Sequence, residues 1–275
     1  GYIREGLPDA VISHFLHIPW PSPAYWLLLP AYMRTAICGA LCSSDILGFQ
    51  TGRDARAFLE TCQEFLPGAS VDHQAQAIDL NGHRVRVRVY PISIDADQLR
   101  RTAVSARVLD YENRLKPLCL EKTIVRVDRL EPSKNIVRGF RAYQLLLGRH
   151  PELHGKVTFL AFLVPSRTGI SQYQRYADDV EEQVNTINST FGNEDWRPIH
   201  AFYEENYNQA MAALRLYDVL LVNPVIDGMN LVAKEGPIAN SRGGVLIVSE
   251  SAGAHDQLGD GALSVAPADV EGTMQ

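Results

Sequence analysis

The run Val219-Leu220-Leu221-Val222-Asn223-Pro224-Val225-Ile226-Asp227-Gly228-Met229-Asn230-Leu231-Val232-Ala233-Lys234-Glu235 leaves an unbroken apolar strand through a turn and enters a helix. A short continuous apolar run bounded by turn residues is the pattern of a parallel strand covered on both faces. The same alternation continues on either side of it. Strands are predicted at 123–127, 157–164, 199–203, 219–223, 245–249 and 262–265, with helices at 135–148, 171–189, 207–217 and 230–240 between them. That order predicts an α/β fold with a nearly whole Rossmann-like unit. A closing helix after the last strand is not expected, because the chain stops at Gln275 shortly beyond it.

The front half predicts strands at 10–18, 46–49 and 84–90 and a helix at 53–65. Three strands are too few for a freestanding doubly wound domain. The chain also opens at Gly1, without an initiator Met or a signal peptide. The expectation is therefore a piece of a longer protein that lacks the start of its first domain. Residues 1–119 form a partial domain and linker, residues 120–275 a second domain, and Pro117 marks the boundary within a linker at 100–120.

Composition excludes several classes. With 26 basic against 32 acidic side chains the net charge is −6, which is not the electrostatic footprint of a nucleic-acid binder. Residues 10–33 carry no Asp, Glu, Lys or Arg, yet Pro19, Pro21, Pro23 and Pro30 prevent one membrane-spanning helix. Cys38, Cys42, Cys62 and Cys119 include no CxxC pair, so reduced thiols and a cytoplasmic setting are expected. There is no GxGxxG, Walker loop, nucleophile elbow or HExxH. No metal site is expected, and a homo-oligomer is compatible with the sequence but not specified by it.

The candidate chemistry gathers at strand ends. A helix beginning near Asn230 points unpaired N–H groups and its positive dipole end toward the crevice outside the sheet's carboxyl edge. Gly228 permits close backbone approach. Asp227 can accept hydrogen bonds from sugar hydroxyls, and Glu235 follows one turn inside the helix. An ordinary strand-turn-helix, with Asp227 and Asn230 competing as N-caps, fits these residues equally well. Arg129 and Lys134, in Asp128-Arg129-Leu130-Glu131-Pro132-Ser133-Lys134, follow the strand at 123–127, and Arg167 follows the strand at 157–164. Cations beside a helix mouth suit a diphosphate, although Arg129 and Lys134 could instead pair with Asp128 and Glu131. Three neighbouring loop tips are expected to converge with the helix mouth on one pocket. In the front half, His14 and His17 are an odd number apart and face opposite sides of a strand, so they cannot chelate together. His17, nearest the proline turn, is the one placed to reach a crevice.

Together these residues resemble the trehalose-6-phosphate synthase family, retaining glycosyltransferases of the GT-B fold. The matching stretches are His17-Ile18-Pro19 with Pro21-Ser22, residues 45–51, 90–95 and 127–130, Pro165-Ser166-Arg167, residues 227–235 and residues 249–254, in family order along nearly the whole chain. The resemblance implies two Rossmann-like domains, the first incomplete here, and transfer of glucose from UDP-glucose or another NDP-glucose to glucose 6-phosphate, with no metal cofactor. By resemblance Arg129 and Lys134 bind the donor diphosphate. Asp227, Gly228, Met229 and Asn230 hold the donor glucose, the amides of Leu231 and Val232 meet the phosphates, and Glu235 takes the ribose hydroxyls. His17 lies beside the transferred sugar, and Arg167 faces the acceptor phosphate. Sibling readings are a glucosylglycerol-phosphate synthase, a pseudo-glycosyltransferase or a non-catalytic nucleotide-sugar-binding module. The sequence departs from the family where Glu131-Pro132 replaces an Asp-Tyr and Asn135 replaces a Gly. A piece of this kind is expected to bind UDP better than it turns over, and to leave residues 19–33 uncovered.

Overall fold

Seven of the eight residues of Val157–Val164 are buried, as a strand with helices on both faces requires. The computed structural model describes residues 1–275, and internal contacts divide them into units Gly1–Ile92 and Ser93–Gln275.

The first unit contains helices α1 (Tyr2–Gly6), α2 (Pro23–Trp26), α3 (Ala31–Leu41) and α4 (Gly52–Phe65). Its strands are β1 (Ser13–Leu16), β2 (Ile46–Phe49), β3 (Ser70–Asp72), β4 (Ala77–Leu80) and β5 (His83–Val89), in the order β1-β2-β5-β4-β3. The expected parallel arrangement holds for β1, β2 and β5, but β4 pairs antiparallel with both β5 and β3. The cause is local. Asn81 and Gly82, both at positive φ, close a two-residue hairpin between Leu80 and His83. In the proline-rich stretch, Trp20 and Trp26 stack at 4.5 Å inside the core, while Ile18, Tyr25, Leu28 and Tyr32 remain exposed. Cys38, Cys42 and Cys62 are buried free thiols where α3 packs on α4.

The second unit begins with α5 (Ala96–Ala103) and α6 (Ala106–Leu115). Six β-strands follow: β6 (Lys122–Arg129), β7 (Val157–Val164), β8 (Ile199–Phe202), β9 (Val219–Val222), β10 (Val245–Ser249) and β11 (Leu263–Val265). They alternate with α7 (Ile136–Arg149), α8 (Ser171–Phe191), α9 (Tyr207–Leu216), α10 (Leu231–Ala239) and α11 (His255–Leu258), and α12 (Val270–Met274) ends the chain. The sheet is wholly parallel, in the order β11-β10-β9-β6-β7-β8. That is the doubly wound order, and its direction reverses between β6 and β9. The crevice at such a switch point is where ligands bind in open α/β sheets.

Two expectations are corrected. The predicted linker at 100–120 is mostly helix and belongs to the second unit: Leu99, Ala103, Val108 and Leu115 enter its core, α6 packs on α9, and the buried carboxylate of Glu112 meets Arg215 at 2.5 Å. The division therefore falls after Ile92 and not after Cys119. Its amphipathic spacing was masked by the density of charge. A closing helix also exists. Asp269 caps α12, and Arg149 of α7 grips both carboxylate oxygens of Glu271 at 2.5 and 2.7 Å. No helix is long and apolar enough to cross a membrane.

Candidate functional site

β6 and β9 deliver two loops to the switch point, and these loops are tied to each other. The Val225 N–H donates to the Ser133 carbonyl at 2.8 Å. Asn135 donates through its amide to the carbonyls of Asn223, 2.9 Å away, and Pro267, 2.7 Å away. Asn135 has φ of +60°, which explains the departure at this position: the backbone is left-handed, where glycine is the least strained residue and asparagine among the next best.

Lys134 is the cation this frame presents. Its side chain is 12% exposed, and its ammonium lies 2.5 Å from Asp227 and 3.8 Å from Asp128. Asp227 also accepts from the Asn230 amide at 3.1 Å. Asn230 in turn caps α10, its Oδ1 accepting the Ala233 N–H at 3.0 Å. Both competing roles weighed from the sequence are thus resolved: Asn230 is the N-cap and Asp227 is the ion-pair partner. Asn230 carries the turn's left-handed strain, with φ of +75°. Its cap leaves the first-turn amides of Leu231 and Val232 without intrahelical acceptors. Gly228 and Met229 are buried beneath the turn.

The loop after β10 braces Asp227 from the other side. The Asp227 N–H donates to Ser251 at 3.2 Å, and the Gly253 N–H returns a bond to the Asp227 carbonyl at 3.0 Å. Ala254 N–H binds the Met229 carbonyl at 2.7 Å. Segments 227–235 and 249–254, read from the sequence as separate motifs, therefore form one structure.

The remaining predicted residues are placed as follows. Arg129 ends β6, is 59% exposed, and pairs with Glu131 at 3.0 Å. The same Glu131 oxygen accepts from the Ser166 hydroxyl at 2.9 Å, so the departure Glu131-Pro132 joins the loops after β6 and β7. Arg167, at φ of +49°, is exposed and directed to Tyr173, its guanidinium over the ring and bonded to the hydroxyl at 2.7 Å. The expected convergence of three cations on one pocket is not found: Lys134 alone meets Asp227, while Arg129 is exposed and held by Glu131 and Arg167 is exposed and held by Tyr173. Glu235 lines a cavity of about 360 Å³ with Tyr207, Asp95, Gln98 and Thr102, and burial raises its carboxyl above the usual range. His17 follows β1 in the first unit, exposed, with its ring edge-on to Phe15 at 4.8 Å. No group of three or more His, Cys, Asp or Glu side chains is arranged to hold a metal ion.

Sequence reasoning missed Arg126, Asp128 and Asn135 as parts of this site. Arg126, fully buried in β6, donates to Asp128 at 2.8 Å and to the Lys134 carbonyl at 2.5 Å. A basic residue inside the apolar run Ile124-Val125-Arg126-Val127 was the available signal, since a charge is buried only where it finds partners.

Residues 1–275 match the model of glycosyltransferase family 20. A bifunctional trehalose-6-phosphate synthase/phosphatase of Thermoproteus tenax is 37% identical over 99% of this chain and 37% of its own length. An alpha,alpha-trehalose-phosphate synthase [UDP-forming] of Pichia angusta is 36% identical over 97% of this chain and 56% of its own. A solved E. coli trehalose-6-phosphate protein with UDP-2-fluoro glucose bound superposes with a TM-score of 0.89 at 32% identity, over 99% of this chain and 60% of that one. The chain thus spans less than two thirds of each of these relatives. With its doubly wound second unit and the Lys134–Asp227–Asn230 arrangement at the switch point, the chain belongs to glycosyltransferase family 20.

Proposed function

We propose that the protein containing this chain is a retaining glycosyltransferase that moves glucose from UDP-glucose, or another nucleoside-diphosphate glucose, to glucose 6-phosphate, giving trehalose 6-phosphate. The observation that carries this reading is the partly buried chain Lys134–Asp227–Asn230 at the topological switch point. It sets a partly buried cation, a carboxylate and a helix mouth side by side.

Each has a distinct task. Lys134 and the amides of Leu231 and Val232 receive the diphosphate, where a preformed positive field stabilises the charge that develops as the glycosidic bond breaks. Asp227 accepts from the donor sugar's hydroxyls, aided by the backbone of Gly228, Met229 and Asn230. Glu235 takes the ribose hydroxyls, Arg129 swings from Glu131 to the diphosphate, Arg167 meets the acceptor phosphate, and His17 lies beside the transferred sugar. The bond from the anomeric carbon to diphosphate oxygen breaks while the bond to the acceptor hydroxyl forms on the same face. The hydroxyl proton passes to the departing phosphate. Leaving-group stabilisation is then the chain's main contribution, and removing one such group costs on the order of 100-fold or more in rate.

The test is product analysis on the intact protein with UDP-glucose and glucose 6-phosphate. A non-reducing, α,α-linked disaccharide phosphate is expected, with UDP released in equal amount. Transfer to another phosphorylated acceptor, such as glycerol 3-phosphate, in preference to glucose 6-phosphate would displace this reading in favour of a sibling enzyme.

A further inference from the structure

Arg126 is among the largest fully buried side chains in the protein. It sits mid-strand in β6, and the surroundings are shaped to it. A Cβ at Gly139 of α7 would lie within contact-breaking distance of Arg126 Nη1, so α7 can approach β6 only with glycine there. The guanidinium makes two directed bonds, Nε to Asp128 Oδ2 and Nη2 to the Lys134 carbonyl. Nη1 has no partner among the protein atoms. Hydrophobic residues of similar volume would fill this position without burying charge, and a buried ion pair is weak evidence for a stabilising role.

The charge order around it gives a different role. Two carboxylates compete for Lys134: Asp227 at 2.5 Å and Asp128 at 3.8 Å. Asp128 is the more deeply buried, and an unneutralised carboxylate there would attract the ammonium strongly. Arg126 already occupies its Oδ2. Burial raises the Asp128 carboxyl, and the charges of Arg126 and Lys134 oppose that rise. The other ionisable groups near this cluster are Asp227 and Tyr176 of α8, whose hydroxyl accepts the Ile136 N–H at 2.7 Å.

We propose that Arg126 is a positioning residue for donor binding: by satisfying Asp128 and fixing the Lys134 carbonyl, it frees the Lys134 ammonium to face Asp227 and the incoming diphosphate. This rests on the donor-site reading above and adds to it a residue that touches no substrate. Without Arg126, Lys134 is the one cation left beside the buried Asp128 carboxylate, and the ammonium is drawn toward it and out of the crevice.

The experiment is UDP titration calorimetry on the intact protein, with thermal unfolding recorded for each variant. Arg126→Met is expected to weaken UDP binding by about tenfold or more, as loss of a charge-assisted contact does. Adding Asp128→Asn, which removes the competitor, is expected to recover most of that affinity without restoring the bond to the Lys134 carbonyl. A purely structural role predicts no such recovery. If Arg126→Met unfolds, Arg126→Lys replaces it: a compact ammonium lacks the guanidinium's separated donors that reach Asp128 and the Lys134 carbonyl together, so weaker binding and the same recovery are expected. Affinity equal to wild type in the single variant, or no recovery in the double variant, overturns the proposal. The donor-site reading is tested separately by Lys134→Ala. Loss of binding there with Arg126→Met unaffected sinks only the role of Arg126, whereas a wild-type protein that does not bind UDP removes both.

Discussion

Lys134 and Asp227 lie 93 positions apart in the chain, yet their side chains meet at 2.5 Å across the seam where the sheet order reverses. The contact sets a cation and an anion at the same mouth, and they are not interchangeable. Lys134→Ala is expected to lower UDP affinity at least tenfold, because it leaves Asp227 facing the diphosphate unopposed. Asp227→Ala is expected to keep UDP affinity near wild type or above it, while turnover of UDP-glucose falls by about 100-fold. Calorimetry with UDP and initial rates with UDP-glucose distinguish the two. Parallel losses of UDP binding in both variants would contradict the division of labour.

Asn230 combines a left-handed backbone, a helix cap and a bond to Asp227. Asn230→Ala removes both hydrogen bonds and keeps the strained backbone, so destabilisation of about 1–3 kcal/mol is expected. Asn230→Gly relieves the strain and is expected to be the milder change. Chemical denaturation of both variants checks the order, and glycine proving worse than alanine would contradict it.

Gly139→Ala is expected to destabilise the protein by about 1–3 kcal/mol, since the added methyl would meet Arg126 and Leu221 in a filled interior. If UDP affinity falls as well, the displaced guanidinium is the cause. An alanine variant with unchanged melting temperature would show that α7 moves away at no cost.

Glu112 ties α6 to α9. Burial pushes its carboxyl up, but hydrogen bonds from Arg215 and Lys116 outweigh burial, and the net shift is downward. A carboxyl lowered by folding adds stability that is present above its unfolded value, about 4.3, and is lost as pH falls through the lower folded value. Glu112→Gln is therefore expected to cost about 1.5–3 kcal/mol at pH 7 and progressively less below about pH 4. Denaturation curves across that range provide the check, and a cost independent of pH would count against the ion pair. Lys116 is half exposed and contributes little of this.

Much of the second unit was readable because its signals are local. The strands at 157–164 and 245–249 are found at their predicted bounds, since apolar runs ended by turn residues mark strands covered on both faces. The helix after Asn230 was equally legible from its cap and its period. The helices at 96–103 and 106–115 were not, because Arg100, Arg101, Asp110 and Arg114 on their outer faces give the composition of a linker. The hairpin pairing β3 with β4 escaped because its strands are only three and four residues long.

By itself the sequence determined the α/β order, the resemblance to a glycosyltransferase family and the identities of Lys134, Asp227 and Asn230, all of which rest on residue type and short-range period. Only the tertiary structure decided which charges pair. It gave Lys134 to Asp227, Arg129 to Glu131, Arg167 to Tyr173, and Asp128 to an arginine buried inside the sheet. Ion-pair choice depends on distances of a few ångströms between segments remote in the chain and on how far each group is removed from water, and neither is encoded in any local window.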